Sequence, residues 1–122
     1  MRILIIEDDK FFQKFYSTKL AERKVEVEIA SDGEEGLTKM RDFKPNLVLL
    51  DLIMPKMDGF AVLAARSQDE NLKKIPVIVF STLGQKKDVE NAQQLGANGY
   101  IIKGSFDFNS MVEKINQVMS SR

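Results

Sequence analysis

Three acids, a hydroxyl and a lysine stand out because each follows directly on a run of apolar residues. Glu7 and Asp8 follow Ile3-Leu4-Ile5-Ile6, and Asp51 follows Leu47-Val48-Leu49-Leu50. Ser81 follows Val77-Ile78-Val79-Phe80, and Lys103 follows Tyr100-Ile101-Ile102. Short apolar runs between turn signals mark strands buried on both faces. In a parallel sheet the carboxyl ends of such strands share one edge, which is where open α/β sheets place their ligands. Carboxylates gathered there repel one another, and one would keep its proton unless a cation relieved the repulsion. A hard divalent ion such as Mg²⁺ suits one or two carboxylates plus several waters. Lys103 would add a mobile positive charge and Ser81 a neutral donor. A cation, an ammonium, a hydroxyl and a free carboxylate oxygen make a site for phosphoryl transfer onto the carboxylate, with Asp51 at its centre.

Each residue also has a plainer reading. Glu7, Asp8 and Asp9 could simply cap a first helix, where carboxylates are favoured. Ser81 and Thr82 are neighbours, so one of them could just satisfy local backbone groups. A lone lysine such as Lys103 is usually a surface residue that snorkels, and Tyr100 in a short strand is usually packing. Asp51 is harder to explain away, because a carboxylate after a buried strand must be paired or solvated. Asp58-Gly59 reads as a turn and helix start without chemistry.

The totals narrow the options. The chain has 122 residues, with no cysteine and no histidine. Thiolate chemistry, disulfides and the commonest general base are therefore excluded, and any metal must be bound through oxygen. Eighteen basic residues balance eighteen acidic ones. On that balance no direct nucleic-acid partner and no membrane surface is expected. No apolar run approaches the roughly 20 residues of a membrane span. A strand-like segment begins after two residues, leaving no room for a signal peptide, so a cytoplasmic location is expected.

Between the strands lie the elements that must position these groups. Residues 10–23 predict a helix with Phe11, Phe12, Phe15, Tyr16 and Leu20 on one broad face, as core or partner surface. Val25, Val27 and Ile29 alternate with glutamates, as in an edge strand. Ser31 and Glu34 have capping-box spacing for a helix through Leu37 and Met40. Asp58 is placed to cap a third helix, and a fourth runs from about Gln85 to Leu95 before Gly96. The last helix carries Phe108, Met111, Val112, Ile115 and Val118, and residues 120–122 are expected to fray. Five strands alternating with five helices give an α/β fold: a doubly wound, five-stranded parallel sheet in one domain over residues 1–122.

The ordered set of segments resembles the response-regulator receiver domain of two-component signalling along essentially the whole chain. Ile3 to Asp9 is similar to that family's first strand and acidic pair. Asp32-Gly33-Glu34-Glu35 matches its second loop, and Asp51 to Gly59 its phosphorylation-site segment. Pro76 to Ser81, Gly96 to Tyr100 and Lys103 complete the match. The resemblance implies a flavodoxin-like sheet with strand order 2-1-3-4-5. It implies that Asp51 accepts a phosphoryl group from a phosphohistidine on a sensor histidine kinase or phosphotransfer protein. Asp8, Asp51 and the backbone carbonyl of Ile53 would hold Mg²⁺, with Glu7 acting through water. Ser81 and Lys103 would each bind a phosphoryl oxygen, and Asp9 and Thr82 would have supporting roles at most. Tyr100 would be an aromatic switch that moves as Ser81 does. That movement would change the surface of the fourth helix, fifth strand and fifth helix, the face expected to meet a downstream target, an output domain or a second copy.

Two departures from the family are visible. Gly104 stands where proline usually follows the lysine, and without proline a trans peptide is expected because the cis form costs about 2.5–4 kcal/mol. Ile53 and Leu83, each two residues past a key group, are bulky and apolar, which predicts slow self-dephosphorylation. Three alternatives remain. A dehalogenase-type phosphohydrolase would want an aspartate where Ile53 stands. A flavin carrier would not place acids in its phosphate loop. A receiver-like interaction module that is never phosphorylated fits every residue equally well.

Overall fold

A computed structural model of the protein describes residues 1–104 and 107–121. Its five strands are β1 (Arg2–Ile6), β2 (Glu26–Ala30), β3 (Leu47–Leu50), β4 (Val77–Ser81) and β5 (Gly99–Ile102). Between and after them run α1 (Lys10–Glu22), α2 (Gly33–Phe43), α3 (Gly59–Ser67), α4 (Lys86–Gln94) and α5 (Phe108–Ser120). A 3-10 turn, Leu72–Lys74, precedes β4. The strands form one parallel sheet in the order β2-β1-β3-β4-β5. The doubly wound sheet expected from the alternating segments is the one observed.

Side chains alternate across the sheet and divide the core in two. Ile3, Ile5, Leu47, Leu49, Ile78, Phe80 and Ile101 pack with Tyr16 and Leu20 of α1 and with Met111, Ile115 and Val118 of α5. Leu4, Ile6, Val48, Leu50, Val77 and Val79 face the other way, onto Leu37 and Met40 of α2, Val62 and Leu63 of α3 and Ala92 of α4. Each fully buried aliphatic side chain contributes about 1.5–3 kcal/mol of transfer free energy, so both layers resist distortion. The same alternation sets the direction of the residues just past the strands. Glu7, Asp51 and Lys103 continue the rows of Ile5, Leu49 and Ile101, whereas Ser81 and Tyr100 continue the row of Val79 and face α4.

Some local expectations are revised. The cap of α2 is Asp32, not Ser31: Asp32 accepts from the Glu35 amide at 2.8 Å, and Glu35 reaches back to the Ser31 amide. The helix start is shifted by one residue, and Gly33, the first residue of α2, sits against Met57 and Val62, where any Cβ would collide. Phe11 and Phe15 do not join the core; they are 67% and 36% exposed, and of the α1 stripe only Phe12, Tyr16 and Leu20 turn inward. Ser120 is the last residue of α5, and Arg122 lies outside the described residues. Asp58 caps α3 through the Ala61 amide at 2.9 Å, and α4 ends before Gly96 at φ +100°, as the sequence indicates.

Candidate functional site

The carboxyl edge of the sheet gathers the acids. Parallel pairing sets Ile6 beside Leu50, and the Asp51 amide donates to the Ile6 carbonyl at 3.0 Å, so Glu7 and Asp51 leave the sheet side by side. Glu7 is 2% exposed and Asp51 6%, whereas Asp8 is open to solvent. One carboxylate oxygen from each of Glu7, Asp8 and Asp51 lies within 4.8 Å of the others. Two buried acids and one solvated acid offer a set of hard oxygens with a wet side, and that fits an ion which keeps part of its water.

Lys103 closes the cluster from β5. Its ammonium lies 2.5 Å from Oε1 of Glu7 and 3.5 Å from Oδ2 of Asp51, with the side chain only 7% exposed. The other oxygen of Glu7 accepts from the Asp9 amide at 3.1 Å. Even so, burial outweighs these partners and pushes the Glu7 carboxyl up to about 7, although the Lys103 hydrogen bond pulls the other way; the neighbouring Asp51 charge adds to the rise. Asp9 caps α1, accepting from the amides of Phe11 and Phe12 at 2.8 and 3.4 Å. Its side chain thus serves the helix, while its amide serves Glu7.

On the α4 side, Ser81 is fully buried and Thr82 is exposed. The Ser81 hydroxyl accepts from the Leu83 amide at 3.2 Å, and the Tyr100 hydroxyl donates to the Leu83 carbonyl at 2.5 Å. One peptide-bonded residue therefore links the two side chains. Ile53 is 53% exposed beside the site, and its amide donates to Oδ1 of Asp51 at 3.4 Å. Gly59 closes the loop from behind: a Cβ there would run into the Asp51 carbonyl and approach the Leu52 Cα to 2.7 Å. The peptide after Lys103 is trans, as no cis bond occurs among the described residues.

Two residues escaped the sequence reading. Gln13, 7% exposed on α1, donates to the Glu7 carbonyl at 2.5 Å and to the Ser31 hydroxyl at 3.1 Å, fixing the loop that carries the acids. An amide among the aromatic residues of α1 was the available signal. Arg66, 4% exposed, donates to the carbonyls of Ile75, Lys73 and Gly96 and to the Asn98 side chain. Nothing in its own segment marks it, since its partners lie up to 32 residues away.

Comparison with known proteins bears on the fold and the family. The family described as response regulator receiver domain matches residues 3–116. The DNA-binding dual master transcriptional regulator RpaA of Synechocystis sp. is 35% identical over 118 residues, covering 97% of this chain and 48% of that protein. The probable transcriptional regulator ycf27 of Cyanophora paradoxa is 36% identical over 102 residues, covering 84% of this chain and 41% of its own length. A solved structure of the Mn(2+)-bound form of response regulator Rcp1 superposes with a TM-score of 0.78 at 30% identity, covering 98% of this chain and 89% of that one. The chain thus spans about half, or less, of the curated relatives it matches. One expectation is overturned by them. The balanced charge argued against any direct nucleic-acid partner, yet a relative matched along 97% of this chain is a DNA-binding regulator. The charge total describes this unit alone and carries no information about the rest of such a protein.

Proposed function

This chain belongs to the response regulator receiver domain family, and from that premise we propose that it is a switch phosphorylated on Asp51. Receiver domains act as signalling switches and not as turnover enzymes. The observation that carries the proposal is the meeting of Asp51, Glu7 and Asp8 with the Lys103 ammonium at one sheet edge.

In the proposed reaction an Asp51 oxygen bonds to phosphorus while the P–N bond of a kinase phosphohistidine breaks, and the electron pair leaves with the imidazole. Asp8, Asp51 and the Ile53 carbonyl would hold Mg²⁺, with Glu7 acting through water, and the ion would supply charge neutralisation for the phosphoryl oxygens. Lys103 already stands between Glu7 and Asp51 and would turn one donor to the phosphoryl group. Ser81 would donate its hydroxyl to a second oxygen. Because Leu83 is bonded to both Ser81 and Tyr100, a shift of the Ser81 hydroxyl reaches the Tyr100 ring and the start of α4 through one residue. The surface of α4, β5 and α5 would then change its partner preference. Ile53 and Leu83 flank the group and would restrict the attacking water.

The test is incubation with acetyl phosphate and Mg²⁺, followed by intact mass. A single phosphoryl adduct in wild type, absent in Asp51→Asn, is expected. If wild type takes up no phosphoryl group under these conditions, the switch reading is wrong and an interaction module without phosphorylation takes its place.

A further inference from the structure

Lys103 is fixed through its backbone, whose amide donates to the Ser81 carbonyl at 2.8 Å, but its ammonium stands at the end of a long side chain. The next residue is Gly104, and among the described residues nothing lies within 4 Å of a Cβ built there. A lysine stem has four rotatable carbons and is not stiff by itself. Besides the two acids, the groups that lie against the ammonium among the described residues are aromatic. It lies 4.3 Å from the centroid of the Phe12 ring and 5.3 Å from that of Phe80. These rings meet edge to face at 5.9 Å, so they form a corner. Tyr16 braces it, stacking on Phe12 at 5.9 Å and meeting Phe80 edge to face at 5.0 Å.

The geometry points to Phe12 and Phe80 as positioning residues for Lys103. An aliphatic lid would exclude water without attracting a cation, whereas an aromatic face does both. The carboxylates alone are an unsteady anchor, because their pull on the ammonium changes whenever a cation or a phosphoryl group joins them. The ring faces carry no charge that a cation or a phosphoryl group would neutralise or reverse. One ring comes from α1 and the other from β4, so the corner ties the lysine both to the sheet and to the helix that covers this face of it. The hold on the ammonium belongs to the free protein; only its use in phosphoryl transfer rests on the receiver reading.

The test follows the labelling of Lys103 by an amine-reactive acylating reagent, mapped by peptide mass, in the full chain without added ligand. Wild type is compared with Phe12→Leu, Phe12→Tyr and a protein carrying 3,4,5-trifluorophenylalanine at position 12. Labelling at Lys103 should be roughly tenfold faster for Phe12→Leu and the fluorinated ring, and near wild type for Phe12→Tyr. Phe15→Leu, on the exposed side of α1, should change nothing. The fluorinated ring keeps its bulk while its face loses negative character, so a wild-type rate for that protein would reduce Phe12 to packing and overturn the proposal. Phosphorylation by acetyl phosphate is scored separately. A wild type that forms no adduct defeats the receiver reading and leaves the labelling result standing. If wild type does form the adduct, equal rates in wild type and the three position-12 variants would show that this hold on Lys103 has no part in phosphoryl transfer.

Discussion

Replacing Glu7 by glutamine should make the protein more stable at neutral and mildly alkaline pH, and the gain should vanish in acid. The folded protein holds the Glu7 carboxyl near pH 7 against an ordinary value of 4.5, chiefly because burial penalises the charged form. Between those values the native state binds a proton that the unfolded chain has released. Stability contributed by this group therefore falls as pH rises through that window and is fully lost above the folded value. At 1.36 kcal/mol per pH unit, the interval amounts to about 3 kcal/mol by pH 8. Urea unfolding of wild type and Glu7→Gln at pH 4.5 and pH 8 reads this directly. The other titrating acids, including Asp32, Asp69 and Asp107, are common to both proteins and cancel in the difference. We expect the two to be nearly equal at pH 4.5, with the variant ahead by about 3 kcal/mol at pH 8. A difference that stays constant across this range, or that favours wild type at pH 8, would refute the claim that burial outweighs the lysine. Added Mg²⁺ should shrink the gap at pH 8, since a cation favours the ionised acid only where the acid is present.

Other perturbations test other parts of the structure. Arg66→Met should cost about 3 kcal/mol in urea unfolding, because it strands carbonyls of Ile75 and Gly96 that the guanidinium now satisfies. Arg66→Lys should recover little of it, since an ammonium cannot span the same fork. Gly59→Ala should cost roughly 2 kcal/mol, because the obstacle is the backbone of Asp51 and Leu52 and not a flexible side chain. Replacing Ile53 with asparagine and Leu83 with glutamate should shorten the life of the phosphoryl adduct in Mg²⁺ severalfold. A wild-type adduct that decays within seconds, at a rate those changes do not alter, would contradict the apolar-shield argument.

How far the sequence could be read depended on the reach of each interaction. The meeting of Glu7, Asp51 and Lys103 was legible because each ends an apolar run and a parallel sheet brings such ends together, whereas Ser81 ends its run on the row that faces α4. The overlapping boxes Ser31 to Glu34 and Asp32 to Glu35 could not be separated locally. The aromatic stripe of α1 was legible as a stripe but not in its width, since the sheet beneath has room for Phe12 and Tyr16 and leaves Phe11 and Phe15 in solvent. Arg66 carried no local signal, because a hydrogen bond to a residue 32 positions away leaves no periodicity to detect.

The Arg66 fork also constrains how α4 can travel. Its guanidinium grips the Gly96 carbonyl and the Asn98 side chain, while that same side chain accepts from the Val77 amide at 2.9 Å. The trailing foot of the helix is thus moored to the root of β4. At the leading end the Tyr100 hydroxyl holds Leu83, and Gly84, Gln85 and Lys86 stand in solvent. A rod anchored at one foot and latched at its tip is held against sliding along its axis; were the latch released, the remaining freedom would be a swing. The largest displacement would then fall at the tip, with the moored foot as its pivot.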